Sequence, residues 1–201
     1  MKAETLVRAG GIAMIPGAIL ACAGLMAQTL HTQEAAGGGA EMLGGIVLVL
    51  ALPVLTGRLA VYAGRLGLAG GILVTLVVLD FQVIGGALDA FIRPFLAASH
   101  VSNLKMPTGL GLLFLAGTLF EVVSLALLAF ATLRRHALPA PAGWCWAAAL
   151  LTAVGGFAPV GGAVFDTLGA AFAYAGLVIA GWALAAVRTP HAERVKAPAF
   201  Q

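Results

Sequence analysis

The chain has 201 residues and a formal net charge of +3, with 61% hydrophobic and only 9% charged residues. Soluble domains carry about 25% charged residues, so this composition cannot cover a water-facing surface and calls for lipid as the solvent. The basic residues form no run long enough to track a phosphate backbone and aromatics stand at 7%, which excludes a nucleic-acid surface and leaves one all-α membrane domain as the expected class.

A membrane-crossing helix needs about 20 apolar residues. Six stretches are read as spans, in chain order 9–30, 42–62, 66–92, 108–133, 143–157 and 164–187. The start, "MKAETLVRAGGIAMIPGAILAC", has the basic flank and apolar core of a lipoprotein leader. Leu20 suits that cleavage box poorly, and the apolar run continues past Cys22 to Met26, so an uncleaved first span is expected. Ala35–Gly39 reads as a short flexible loop tip before the second span. The fifth span is the shortest, and "FAPVGG" from Phe157 to Gly162 reads as a tight turn into the sixth. The predicted fold is thus a six-helix membrane bundle over 1–189 with a polar cytoplasmic tail, 190–201.

Basic residues orient such a bundle. With the N-terminus in the cytoplasm, the inner side takes Lys2, Arg8, Arg58, Arg65, Arg134, Arg135, Arg188, Arg194 and Lys196, while the outer side takes only Arg93 and Lys105. Both termini are then cytoplasmic. Trp144, Trp146 and Trp182 fall near the inner interface as anchoring aromatics. Small residues at four-residue steps (Ala9, Ala13, Gly17 and Ala21; Ala148, Thr152 and Gly156; Gly169 with Ala173; Gly176 with Ala180) predict close helix seams. Pro16 and Pro53 lie inside spans and are expected to bend them.

Charges at depth carry the functional reading. Asp80 lies fifteen residues beyond Arg65, and Glu121 thirteen before Arg134. At about 1.5 Å per residue these are roughly 22 and 20 Å from the inner anchors, so the two carboxyls are predicted to share a level near the midplane. Intramembrane ionisable groups are functional candidates by default. Two acids without a base cannot both be charged cheaply, so a shared proton or a cation between them is expected. Thr118, Glu121 and Ser124 share one helix face, and Gln82 adds a polar group on the third span. Asp80, Glu121, Ser124, Thr118 and Gln82 are therefore the predicted proton or ligand site. Asp80 should point nearly opposite to Asp89, nine residues on. Asp89 and Arg93 are four apart and should pair. Asp166 is expected to cap the sixth helix.

No metal site is expected: His31, His100, His136 and His191 fall in loops or the tail, and His31, Glu34, Glu41 and His100, which share the outer side, have no known ligand spacing. Cys22 and Cys145 lie at different depths and should remain free thiols. No cofactor motif and no catalytic set is present, so an enzyme is the less favoured class. The stretch "LRRHALPAPAGWCWAAALL", Leu133–Leu151, resembles a pattern in many uncharacterised bacterial six-helix membrane proteins. The resemblance implies a bacterial inner-membrane protein and brings no activity or site residues. The leading expectation is a small proton- or cation-coupled transporter, or a binder of a small cationic ligand. A non-catalytic subunit of a membrane complex is the alternative, and an intramembrane lipid or isoprenoid enzyme stands third. The expected partners are the lipid bilayer and either a second copy or a larger membrane complex.

Overall fold

A computed structural model describes residues 3–30, 34–99, 108–156 and 162–186. Among them every regular element is helical: α1 (Ala3–Thr29), α2 (Glu34–Val77), two π-helical segments (Val78–Gly85 and Leu88–Ile92), α3 (Arg93–Ala98), α4 (Thr108–Leu133), α5 (Ala140–Gly156) and α6 (Gly162–Ala185). Four apolar stretches are long enough to cross a membrane: Ala3–Thr29, Ala35–Leu96, Thr108–Leu133 and Val164–Ala185. Helix α5 has 17 residues and reaches about 26 Å, just under the roughly 30 Å hydrocarbon layer.

Ala35–Leu96 is 62 residues long, about 93 Å if it ran straight. It does not run straight. Gly64 has φ 60° and ψ −137°, a region closed to most side chains and open to glycine. There the chain folds back on itself. Gly71 lies against Thr56, Gly45 against Gln82 and Gly38 against Ala90. Those pairs have nearly constant number sums, the signature of an antiparallel hairpin. A first limb, 34–63, and a second, 65–98, result.

The glycines of 35–39 are helical, against the expected loop tip. Gly37 packs on α1 and Gly38 on the π-helical segment, where an added Cβ would come within 2.9 Å of Gly24 O and 2.8 Å of Gly86 O respectively. Absent side chains here serve close backbone approach, the main means of helix association in lipid. Helix α1 uses the same device on two sides. Gly17, Ala21 and Gly24 meet the first limb, while Gly11 meets Gly181 and Leu184 of α6. Gly17 and Ala21 thus join the seam their spacing predicts, whereas Ala9 faces outward. Pro16 and Pro53 lie within continuous helices.

Each helix packs on its neighbour in chain order, and α6 returns to α1, so the segments form a ring. Met14, Leu48, Leu52, Leu55, Leu128 and Leu184 fill its centre. Large apolar side chains such as Leu50, Val61, Leu151 and Trp182 project outward. Small residues inside and large apolar ones outside suit a lipid environment.

Trp144 and Trp182 face outward, but Trp146 is 1% exposed. Its indole lies directly over Gly176, which makes room for it between α5 and α6. Trp146 is a core residue and not an interfacial anchor. Nearby, Arg58 Nε donates to Ala137 O at 3.3 Å, and its guanidinium lies 4.3 Å from the Tyr62 ring centre. The first limb is thereby tied to the α4–α5 connection, where His136 adopts φ 52°. Arg58→Ala should lower stability by about 1–3 kcal/mol, the worth of a charge-assisted hydrogen bond and a cation–π contact. Thermal unfolding in detergent, read by circular dichroism, measures it.

Candidate functional site

Helix α4 packs on the second limb at Gly70, where an added Cβ would lie 2.9 Å from Leu127 Cβ. Further along, towards Arg93 and Thr108, the contact thins to a ring stack of Phe81 on Phe114, with centroids 5.9 Å apart and planes at 21°. The helices part there, and the space between them is a half-enclosed cavity of about 1030 Å³. Its walls are mainly apolar: Leu25, Val77, Leu88, Leu110, Ala153, Phe165 and Ala170 among others. That volume is at the upper end of small-molecule sites.

The polar groups in the cavity come from every wall. Gln28 stands on α1, Glu41 on the first limb, Gln82, Asp89 and Arg93 on the second, Thr118 and Glu121 on α4, and Asp166 on α6. Their directions converge. Helical side chains lean back towards the N-terminus of their helix. The first limb, α4 and α6 all start at the cavity end, so Glu41, Glu121 and Asp166 lean towards it. The second limb runs the other way, so Asp89 leans down into it.

The second limb is π-helical through this wall, which its sequence does not announce. Arg93 N–H bonds Leu88 O five residues back. Pro94 follows, and a proline ring clashes with the carbonyl four residues before it, here Ala90. A wider turn at Leu88–Ile92 relieves that clash. Single π turns are uncommon and gather at functional sites. The face they present holds Gln82 and Asp89 together.

Of the predicted site residues, Gln82, Thr118 and Glu121 line this cavity, while Asp80 and Ser124 do not. Asp89 lies against Gly38 of the first limb, and Asp80 against α4. The Asp80 carboxyl is pressed onto Gly117 of α4, at the level where the two helices begin to part. Asp80 is 6% exposed and neither of its oxygens has a hydrogen-bond partner among the described residues. The predicted shared site of Asp80 and Glu121 is therefore corrected: common depth placed them one helical turn apart on α4, but helix rotation separated them. Ser124 is buried and donates to Glu121 O at 2.9 Å, and Thr118 donates to Phe114 O at 3.0 Å, so both hydroxyls are spent on their own helix.

Glu121 instead faces Asp166 of α6, close enough for repulsion. Asp166 is also corrected: it lies in the second turn of α6 and lines the cavity, beyond the first turn where a capping carboxylate acts. The Asp89–Arg93 pair forms as expected, Oδ1 to Nε at 2.8 Å. Sequence reasoning placed Glu41 on the outer side but not in the site; it is 5% exposed and accepts from Gln28 Nε2 at 2.5 Å. Sequence reasoning missed Tyr174 of α6. Tyr174 is 5% exposed, and its hydroxyl adjoins Gln82 within electrostatic reach of Glu41 and Glu121. That hydroxyl and Gln82 Oε1 adjoin, yet neither completes a well-aligned hydrogen bond among the described residues.

No group of three metal-ligating side chains occurs among the described residues. Cys22 and Cys145 are free thiols. His31, His100 and His191, the turn 157–161 and the tail 190–201 lie outside the described residues. Comparison with protein-family models, with curated proteins and with solved structures finds no match to this chain.

Proposed function

We propose that this protein is a membrane-embedded binder, and by extension a transporter, of an organic cation. One observation carries the reading: Glu41, Asp89, Glu121 and Asp166 line a single cavity in an apolar bundle, with Arg93 the one basic group on its walls among the described residues. Taken at formal charge, four acids and one base leave −3, a potential that draws cations. Apolar walls around a few converging polar groups fit an organic body bearing the charge. A bare metal ion fits less well, for want of a compact ligand group among the described residues.

The same reading includes six crossings. Folding at Gly64 divides Ala35–Leu96 into two limbs, each about 45 Å long and sufficient to cross. An even count places both termini on one side, and the bias of basic residues makes that side cytoplasmic. The wider setting would be a bacterial inner membrane, and the cavity would open away from the cytoplasm.

Calorimetric titration of the purified protein in detergent with hexylammonium and with neutral hexanol tests the reading. Saturable binding of the cation alone is expected, and equal binding of both or of neither would overturn it. Asp80→Asn should leave the cation affinity unchanged, because Asp80 lies outside the cavity. A loss of affinity in that variant, with unfolding temperature preserved, would return Asp80 to the site.

A further inference from the structure

At the end of the bundle away from the acidic cavity lies a second pocket, of about 330 Å³. The first limb, the α4–α5 connection and the last turn of α6 enclose it. That volume is at the lower end of small-molecule sites. Arg58 and His136 are its charged or polar side chains, and Leu138, Pro139 and Leu184 close it with hydrocarbon. Among the described residues no carboxylate lines it. Arg58 is fixed there but not saturated. Its Nε donates to Ala137 O at 3.3 Å, and its guanidinium rests 4.3 Å from the centre of the Tyr62 ring. Among the described residues the N–H groups of both terminal nitrogens meet no acceptor. A guanidinium held in this way presents a fork that matches two oxygens of a phosphate.

His136 is held under strain. Its φ is 52°, and the N–H that follows, of Ala137, reaches back to Ala131 O at 3.3 Å. Helices commonly end through one left-handed residue, and glycine usually takes that place because it has no Cβ to clash. Here a histidine takes it and keeps an imidazole on the pocket beside Arg58. Strained backbone retained in this way gathers at functional sites. The surroundings add charge and lipid contact. Arg134 and Arg135 precede His136 in the same exposed turn. Tyr62, against Arg58, and Trp182, next to Ala183, are exposed aromatics, as at the headgroup level of a membrane. Helices α4 and α6 both end at the pocket, and a helix C-terminus repels anions with roughly half a charge. Three arginines outweigh two such ends.

We infer that this second pocket binds a phosphate ester, with the phosphate oxygens on the Arg58 guanidinium and the His136 imidazole. Basic pockets between helices at a membrane face take anionic lipid headgroups. The same contacts hold a soluble phosphate ester, so the recognition chemistry is common to both sources. Leu138, Leu184 and the exposed aromatics give the glycerol end of a lipid an apolar path back to the bilayer. This site is separate from the acidic cavity and does not depend on what that cavity binds.

The test is calorimetric titration of the detergent-purified protein with dihexanoylphosphatidylglycerol, with dihexanoylglycerol, which lacks the phosphate, and with glycerol phosphate, all at one ionic strength. At least one phosphate probe should bind one-to-one, tenfold or more tightly than dihexanoylglycerol. A phospholipid tenfold tighter than glycerol phosphate places the ligand in the bilayer, and comparable affinities place it in solution; both outcomes uphold the phosphate site. His136→Gly then separates a ligand group from a helix terminus. It should weaken each phosphate probe about tenfold, the worth of one hydrogen bond to a charged group. Its unfolding temperature without ligand should be equal or higher, because glycine relieves the backbone at that position. Unchanged phosphate binding in His136→Gly would make His136 a helix terminus only and overturn the inference. Equal binding of dihexanoylglycerol and the phosphate probes, or no binding of either phosphate probe, would overturn it on the wild type alone.

Discussion

Replacing Glu121 with Lys is expected to abolish binding of organic cations, with affinity for hexylammonium falling a hundredfold or more. Glu121 leans into the cavity from α4, opposite Asp166. The conservative Glu121→Gln change removes one charge-assisted hydrogen bond, worth about 1.5–3 kcal/mol, or roughly ten- to a hundredfold for a cation held beside it. Lysine does more. Its own ammonium can pair with Asp166, occupying the place of the ligand and reversing the local field. Calorimetric titration compares the three proteins, and the far-ultraviolet circular dichroism must be unchanged for the comparison to hold. Unaltered binding in the Lys variant would place the cation elsewhere.

The largest structural effect is expected at Gly24. A Cβ added there would lie 2.5 Å from both Glu41 N and Gly37 O, which are backbone atoms with little room to move. Overpacking a close seam costs about 1–3 kcal/mol and occasionally more. Gly24→Val should exceed that range, because a branched side chain must push α1 off the first limb. It should also loosen the site, since Gln28 and Glu41 face each other across this seam. A fall in unfolding temperature with a loss of cation affinity is therefore expected. Gly39→Ala provides the control: nothing lies within 4 Å of its added Cβ, and both properties should be retained. Thermal unfolding and titration of the two variants check the pair of outcomes together.

The sequence exposes this architecture unevenly, for physical reasons. Lipid demands long apolar helices, so the helical stretches can be read from hydropathy alone. Asp89 and Arg93 pair because a four-residue step closes in any helix, and this local relation survives even the π-helical turns around it. What fails is inference across helices. Depth along the axis correctly brought Asp80 and α4 to one level, but the rotation of each helix depends on which glycines interlock, and no spacing rule gives that. Gly117 draws Asp80 onto α4 and leaves Glu121 to another wall. Glu41 stayed hidden for a related reason. The glycines before it look like a loop, and only their contacts with Gly24 and Gly86 reveal a helix that carries Glu41 inside. Tyr174 gives no local signal, being one aromatic in an apolar run until its buried hydroxyl is found beside the Gln82 amide.

An acidic cavity within an apolar bundle is the central claim, and charge-selective labelling tests it most directly. Ala170 lines the cavity, and Ala170→Cys in a Cys22→Ala, Cys145→Ala background places one thiol there. The rates of modification by a cationic and by an anionic methanethiosulfonate of similar size are then compared, each corrected for its rate with a free thiol. A corrected ratio of about ten or more in favour of the cation is expected from the local field, falling towards one in Glu121→Gln and with salt. Equal rates, a faster anionic reagent or an inert thiol would contradict a water-reachable acidic cavity.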